Sequence, residues 1–432
     1  MDKTISRPAK LRGVVKPPGD KSISHRSLIF NAVANKQSLI SGLLLSDDIL
    51  STIRILQKLG VQIDIAENEN ICKVYGVGLH GLQVPQDDLD CGNSGTTMRL
   101  MIGLLTGIKG NIQLIGDQSL QKRPMERIIG PLNQMGANIL SVNSDGLCPI
   151  IVHGQPINGG QEINLEIASA QVKSAILLAG LYSDGSTKLI EPIATRDHTE
   201  RMLTAMGAQI SIKDNQIELI EPPNYLNSQN IDIPSDISSA APWIIAAVIH
   251  PDAEILIENV GINPSRFGII KILVSMGANI EIINRKTISN EEVGDLVIKS
   301  SVLNGIIVSK ELVPQAIDEI PLIALAACFA KGETQIAGIE ELKVKESDRL
   351  KNTIDILNQF GGNITSCKQV MIIEGSRILK ATHIQCSDDH RMTMLAGIAG
   401  LIADGTSSLV NIDSVSISYP SFWNDFDLLS IN

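Results

Sequence analysis

Met135-Gly136-Ala137-Asn138-Ile139 is the stretch that decides the fold, because the chain repeats it. Leu59-Gly60-Val61-Gln62-Ile63, Met206-Gly207-Ala208-Gln209-Ile210, Met276-Gly277-Ala278-Asn279-Ile280 and Phe360-Gly361-Gly362-Asn363-Ile364 carry the same pattern. Neighbouring copies lie roughly 70 to 85 residues apart, too far for a solenoid of short repeats and right for a repeated α/β unit. An amphipathic run precedes each copy, as with Leu50, Ile53, Leu56 and Leu59 in the first. The glycine then supplies the left-handed residue that ends a helix. A β-branched residue opens a strand, as in Ile63-Asp64-Ile65. The predicted unit is helix, glycine cap, strand.

Between these copies a second element recurs, a short polar stretch running into an apolar, alanine-rich helix. The polar starts are Gly19-Asp20-Lys21-Ser22, Gly92-Asn93-Ser94-Gly95-Thr96, Ala168-Ser169-Ala170-Gln171, Ser235-Asp236-Ile237-Ser238, Ile317-Asp318-Glu319 and Ser387-Asp388-Asp389-His390. They predict helices over 23–33, 97–105, 172–181, 239–248, 320–329 and 391–402. These are apolar nearly all round, which predicts that they are buried. Six buried and five capped helices imply six copies of one subdomain. The sixth lacks the glycine phrase and ends in a predicted short helix over 419–429.

A chain of 432 residues predicts two domains, and 44% apolar content supports a large core. Aromatics at 3% leave no stacking platform for single-stranded nucleic acid. A formal charge of −11 argues against binding a polyanion as a whole. No apolar targeting segment follows Met1-Asp2-Lys3-Thr4, and no apolar run reaches membrane-span length. Cys72, Cys91, Cys148, Cys328, Cys367 and Cys386 are scattered without a Cys-x-x-Cys pair. A reducing cytoplasm, with neither a disulfide framework nor a zinc site, is the expectation. A crossover between domains is expected near Pro234.

The polar helix starts carry cations although the chain is acidic. Lys21, Arg26, Arg99, Lys173 and Arg391 lie in them, and loops add Lys122-Arg123, Arg196, Arg201, Lys343, Lys345 and Arg349. Helix N-termini favour small anions through their free N–H groups and dipole. Any one of these cations could instead cap a helix or pair with a carboxylate. Their recurrence at equivalent positions favours a local anion site.

Other motifs narrow the chemistry. Gly76-Val77-Gly78-Leu79-His80-Gly81 has the G-x-G-x-x-G form of a dinucleotide site, but Leu82-Gln83-Val84-Pro85 follows where a helix is required. Turns between strands are expected there. Pro17-Pro18-Gly19-Asp20-Lys21-Ser22 ends like a phosphate loop without the earlier glycine, so Asp20 or Ser22 as a cap is the plain reading. Over 343–349, Lys345 and Arg349 would share a face of a helix starting near Glu346. His390 could act as an acid or base, or simply be a hydrogen-bonded structural histidine. With no His-x-x-x-His spacing and no Gly-x-Ser-x-Gly elbow, neither a metal, a cofactor nor a hydrolase triad is expected.

Together these segments resemble the enolpyruvyl transferases, and within them the branch acting on shikimate 3-phosphate. The resemblance rests on Gly19-Asp20-Lys21-Ser22-Ile23-Ser24-His25-Arg26, Gly92-Asn93-Ser94-Gly95-Thr96-Thr97-Met98-Arg99 and Lys122-Arg123-Pro124-Met125. It continues through Ser169-Ala170-Gln171, Arg196-Asp197-His198-Thr199-Glu200, Asp318, 343–349 and 388–391, spanning essentially the whole chain. It implies an α/β fold of two lobes, each with three βαβαββ subdomains around buried helices. The implied lobes are 1–14 with 234–432, and 15–233, with the active site in the cleft between them. The sibling branch acting on UDP-N-acetylglucosamine is the alternative. That branch typically has a cysteine in the loop that here reads 117–124, and a Lys-Asn pair where Lys21-Ser22 stands, so both features favour the shikimate branch.

The resemblance further implies the residue roles. Shikimate 3-phosphate would be held by Lys21, Ser22, Arg26, Ser169, Gln171, Asp318 and Lys345, with Arg196 added in the second class of these enzymes. Phosphoenolpyruvate would meet Lys21, Gly95, Arg123, Gln171, Arg349 and Arg391. Asp318 and Glu346, assisted by Lys21, would carry the proton transfers. These two small molecules are the expected partners, with a monomer working without nucleic acid or membrane. Ile417 stands where some members have a lysine, and Leu100 where they have proline, which bears on binding of phosphoenolpyruvate and of the herbicide glyphosate.

Overall fold

The computed structural model describes residues 1–66, 71–375 and 378–430. The chain divides into two compact units, one of Met1–Pro18, Pro234–Thr287 and Glu292–Asn432, the other of Gly19–Ile233 and Ile288–Glu291. Each unit holds three sheets and its own buried apolar cluster.

In the second unit, helices alternate between buried and amphipathic. They are α1 (Lys21–Ala32), α2 (Asp47–Lys58), α3 (Gly95–Leu105), α4 (Glu126–Gln134), α5 (Ala170–Gly180) and α6 (His198–Ala205). The first unit continues with α7 (Ile237–Ile249), α8 (Gly268–Ser275), α9 (Ile320–Cys328), α10 (Arg349–Gln359), α11 (His390–Ile402) and α12 (Phe422–Leu429). All six predicted buried helices are present as α1, α3, α5, α7, α9 and α11. The predicted terminal helix starts at Phe422, and Tyr419 lies ahead of it in a turn whose hydroxyl accepts from Trp243 Nε1 at 2.9 Å.

The five glycine phrases end α2, α4, α6, α8 and α10, with φ of +92° at Gly60, +87° at Gly136, +100° at Gly207 and Gly277, and +90° at Gly361. Each closes with the same pair of hydrogen bonds. In the first, Gly60 N–H donates to Gln57 O and Val61 N–H to Leu56 O, both at 3.0 Å. This is the Schellman arrangement, which needs the residue after the cap to be left-handed.

Five sheets share one plan: a parallel pair at one edge, then two antiparallel strands. Leu89–Asp90, Gly110–Ile115, Ile150–Gly154 and Asn138–Ser141 show it without interruption. At the two crossings between units the edge strands are exchanged. Leu11–Val15 precedes α1 but pairs with Ala253–Gly261 of the first unit. Ile231–Asp232 precedes α7 but pairs with Asn35–Ser41 of the second. The sixth sheet has three strands, His383–Gln385, Thr406–Val410 and the N-terminal Asp2–Ser6. The N-terminus thus supplies the antiparallel strand that the last subdomain lacks.

Burial of the odd-numbered helices is nearly complete, and the exceptions are informative. In α1, α3, α5 and α11 the less buried residues lie in the first turn: Lys21 and Ser22, Thr96, Ala170 and Gln171, and Arg391. The fold therefore presents helix N-termini and hides everything behind them. Among the described residues no helix is long and apolar enough to cross a membrane.

Candidate active site

In the first unit, three predicted site residues, Lys345, Arg349 and Arg391, meet at the carboxylate of a fourth near the starts of α9, α10 and α11. Asp318 lies just before α9. Its Oδ1 accepts from Arg349 Nη1 at 3.4 Å and lies 3.7 Å from Lys345 Nζ, while its Oδ2 is 3.9 Å from Arg391 Nη2. Arg391 Nη1 also donates to the Asp318 carbonyl at 3.5 Å. Glu346 Oε2 is 2.5 Å from Arg349 Nη2.

Arg349 is fully buried and held side-on by Asp389, with Nε donating to Oδ2 at 2.8 Å and Nη2 to Oδ1 at 3.1 Å. Burial works against its charge, but Asp389, Glu346 and Asp318 more than offset that and raise its pKa. Burial pushes the Asp389 carboxyl up, and the Arg349 guanidinium prevails, holding it below the ordinary carboxylate range. The same Asp389 caps α11 by accepting from Arg391 N–H at 3.1 Å, and it takes Ser347 Oγ–H at 2.8 Å. It thereby fixes two arginines at once.

One expectation fails here. Glu346 and Lys345 are not on a helix: a 3-10 turn ends at Val344, and α10 starts only at Arg349. Asp348 caps that helix by accepting from Lys351 N–H at 3.0 Å, so Lys345 and Arg349 share no helix face. They meet at Asp318 by tertiary placement instead.

In the second unit the cations gather around Gly95. A Cβ built on Gly95 would lie 2.9 Å from Arg99 Nη1 and 3.1 Å from Arg123 Nη1. Two guanidiniums thus rest against bare backbone at the start of α3. Arg123 Nη2 donates to Asn93 Oδ1 at 2.6 Å and Ser119 Oγ at 3.3 Å. Arg99 Nη1 donates to Gln171 Oε1 at 2.8 Å, and Gln171 Nε2 donates to Thr96 Oγ1 at 2.8 Å, tying α5 to α3. Lys21 Nζ pairs with Asp48 at 3.0 Å. Asp20 caps α1 through Ile23 N–H at 2.9 Å, and Ser169 caps α5 through Val172 N–H at 3.4 Å.

Behind this surface lie further charged side chains, buried in the fold. Lys173, counted from the sequence among the cations of an anion site, is buried between Glu191 at 2.9 Å and Glu200 at 2.7 Å. Its charge is used inside the fold. Arg26 is also buried; Nε donates to Thr199 Oγ1 at 2.7 Å, Nη2 to Ser174 Oγ at 2.7 Å and Nη1 to Ser22 O at 3.0 Å. Burial pulls its pKa down to about 10. His25 Nδ1 is 2.8 Å from Thr52 Oγ1, and burial, then Lys21 and Arg26, push its pKa well below 6.5. Arg196 is half-buried in the loop before α6. In the G-x-G-x-x-G stretch, Gly76 and Val77 end the strand Ile71–Val77, and the chain turns after Gly78, at φ +79°, on its way to Leu89–Asp90.

Comparison with known proteins then identifies the lineage. The family model described as EPSP synthase (3-phosphoshikimate 1-carboxyvinyltransferase) matches residues 5–426. The chain belongs to the EPSP synthase family. It is 46% identical over 422 residues to the 3-phosphoshikimate 1-carboxyvinyltransferase of Parasynechococcus marenigrum (strain WH8102), covering 97% of this chain and 96% of that one. It is 44% identical over 428 residues to the enzyme of that name from Herpetosiphon aurantiacus, covering 99% of both. The solved EPSP synthase of Acinetobacter baumannii superposes with a TM-score of 0.88 at 40% identity, covering 99% of this chain and 98% of that one. At that identity the likeness extends beyond the fold.

Several residues in these clusters escaped the sequence reading as individuals. Asp389, Asp48 and Asn93 hold the predicted residues in place. Asp389 carried a signal, being two residues ahead of Arg391 at a helix start, where an acidic cap is common. Asp48 carried none, because its pairing with Lys21 is purely tertiary.

Proposed function

We propose that the chain transfers the enolpyruvyl group of phosphoenolpyruvate to the 5-hydroxyl of shikimate 3-phosphate and releases phosphate. The observation that carries this reading is the family match over residues 5–426, and the geometry suits the chemistry. Both substrates bear a carboxylate and a phosphate, which arginine forks and a lysine bind well. Arg349 and Arg391, turned to one carboxylate in the first unit, are proposed to hold phosphoenolpyruvate together with Lys21, Gly95, Arg123 and Gln171. Lys21, Ser22, Arg26, Ser169, Gln171, Arg196, Asp318 and Lys345 are proposed to hold shikimate 3-phosphate. Bare backbone at Gly95 supports close approach of the smaller substrate.

The reaction is addition followed by elimination. The 5-hydroxyl oxygen bonds to C2 of phosphoenolpyruvate, its proton goes to a base, and C3 gains a proton to become a methyl group. The tetrahedral intermediate then loses a proton from C3 as its C2–O bond to phosphate breaks. Asp318 and Glu346, with Lys21, are proposed to carry these protons; ion-paired cations orient both carboxylates. The surrounding cations would stabilise charge on the departing phosphate. The reading further takes the enzyme to be a cytoplasmic monomer, which the six unpaired cysteines suit as regards a reducing compartment.

The test is phosphate release from phosphoenolpyruvate. Release that depends on shikimate 3-phosphate is expected. Release that depends instead on UDP-N-acetylglucosamine would overturn the assignment, as would none with either acceptor.

A further inference from the structure

The partners of Arg26 have a feature that its burial makes costly. A guanidinium this enclosed normally faces a carboxylate, yet no Asp or Glu oxygen lies within ion-pair distance of Arg26 among the described residues. In its place stand two hydroxyls. Thr199 Oγ1 receives Nε and Ser174 Oγ receives Nη2, each at 2.7 Å, and the two oxygens are 2.6 Å apart. Two acceptors so close together, meeting Nε and one Nη, reproduce the side-on seat that Asp389 gives Arg349.

The hydrogens settle which way this pair is oriented. Ser174 has one hydroxyl hydrogen, and it goes to the Ala170 carbonyl at 2.6 Å. Thr199 must then donate to Ser174. Thr199 is left with a lone pair for Nε, and Ser174 with one for Nη2. Both hydroxyls are thereby fixed as acceptors toward Arg26, and neither can turn away without breaking a second bond. The charges nearby are arranged to keep this seat neutral. Glu200, the chain neighbour of Thr199, pairs at 2.7 Å with Lys173, the neighbour of Ser174, instead of with Arg26.

We infer that Thr199 and Ser174 form a neutral clamp that positions Arg26 for an anionic group of the substrate without neutralising it. Three of the five N–H groups are held by Thr199, Ser174 and Ser22 O, leaving one on Nη1 and one on Nη2 for an incoming carboxylate or phosphate oxygen. A carboxylate in the place of the hydroxyls would hold the guanidinium as firmly but cancel the charge that the ligand needs. Thr199 and Ser174 are positioning residues, acting through Arg26. The inference rests on the reading of Arg26 as a contact of shikimate 3-phosphate.

The experiment measures KM for each substrate, and kcat, in the full chain carrying Arg26→Ala, Thr199→Val, Thr199→Ser, Ser174→Ala, or Arg26→Ala with Thr199→Val. Thr199→Val keeps the shape and removes the acceptor. It is expected to raise KM for shikimate 3-phosphate about tenfold or more, with KM for phosphoenolpyruvate and kcat changing by less than about threefold. Thr199→Ser restores the acceptor and should recover most of the loss. Ser174→Ala should give the same split, and decides the matter if Thr199→Val does not fold. Adding Thr199→Val to Arg26→Ala should cost nothing further, because the clamp would have nothing to hold. If Arg26→Ala raises that KM while Thr199→Val and Ser174→Ala leave it unchanged, the clamp is wrong and the role of Arg26 stands. If Arg26→Ala itself leaves that KM unchanged, the reading of Arg26 as a substrate contact is what fails. Equal losses in both KM values, or additive losses in the double variant, would make Thr199 merely structural.

Discussion

At the scale of single residues, the first-unit cluster separates groups that hold from groups proposed to react. Asp389 is buried under Arg349 and committed on both oxygens, whereas Glu346 and Asp318 are only partly buried. Partial burial supports the proposal that the latter two transfer the protons. Glu346→Gln and Asp318→Asn keep shape and remove the acid. Each should lower kcat by about 10²–10⁴-fold, the usual worth of general acid–base catalysis. Steady-state kinetics decide, and a kcat within a few-fold of the parent would remove the role. Gly95→Ala is a second probe. Its methyl would press on the ends of Arg99 and Arg123 at 2.9 and 3.1 Å, so those guanidiniums must give way. KM for phosphoenolpyruvate should rise, and the inhibition constant of the longer glyphosate should rise further, by about ten- to a hundredfold for a packing clash of this kind. Equal losses for both ligands would mean that the shifted arginines, and not the methyl, control the effect.

At the scale of elements, caps fix helix starts, and one helix pair is joined by aromatic packing. In the first unit, α12 closes onto α7. Trp243 stacks on Phe422 with centroids 5.1 Å apart, and its Nε1 donates to the Tyr419 hydroxyl at 2.9 Å. That hydroxyl donates in turn to Asp425 Oδ2 at 2.8 Å. Tyr419→Phe leaves the ring packing in place but strands a buried indole N–H. The expected cost is about 1–3 kcal/mol, the penalty for an unsatisfied buried donor. Urea unfolding should show a lower midpoint with an unchanged slope; an unchanged midpoint would mean that the indole finds another partner. The elements were largely legible in the sequence, since each glycine phrase needs only its own helix and the next residue to be read. The start of α10 was not, because Asp348 competes with Glu346 as the first polar residue, and only packing of Arg349 against Asp389 selects between them.

For the whole molecule, pH reports on buried histidines. His25 lies in the second unit and His250 in the first, where its Nδ1 accepts from Asp252 N–H and its Nε2 donates to Pro8 O, both at 3.0 Å. Burial lowers both pKa values below 6.5. The folded state thus binds fewer protons than the unfolded one. Stability from these groups is complete above about pH 6.5 and is lost as pH falls from there toward the folded values. Burial raises the Glu200 carboxyl, which acts in the opposite sense, gaining stability as it takes up a proton. The two can be separated by comparing melting temperatures at pH 7.5 and 5.5 in the parent and in His25→Gln. The drop should be smaller in the variant, and an equal drop would clear His25 of the effect. The amino-acid sequence suffices for the repeating α/β plan, the burial of alternate helices and the polar helix starts at which many of the proposed site residues lie. Those properties follow from local periodicity, from the conformation only glycine tolerates, and from capping, all of which act within one turn of chain. Only the three-dimensional fold selects which of the cations is enclosed by carboxylates. Lys173 and Lys21 look alike in sequence, yet Glu191 and Glu200 enclose the first, while the second stands at a partly exposed helix start beside Asp48. It also decided where the missing strand of the last subdomain comes from. Pairing of Asp2–Ser6 with Thr406–Val410 joins residues some four hundred positions apart, and no local pattern encodes a contact of that range.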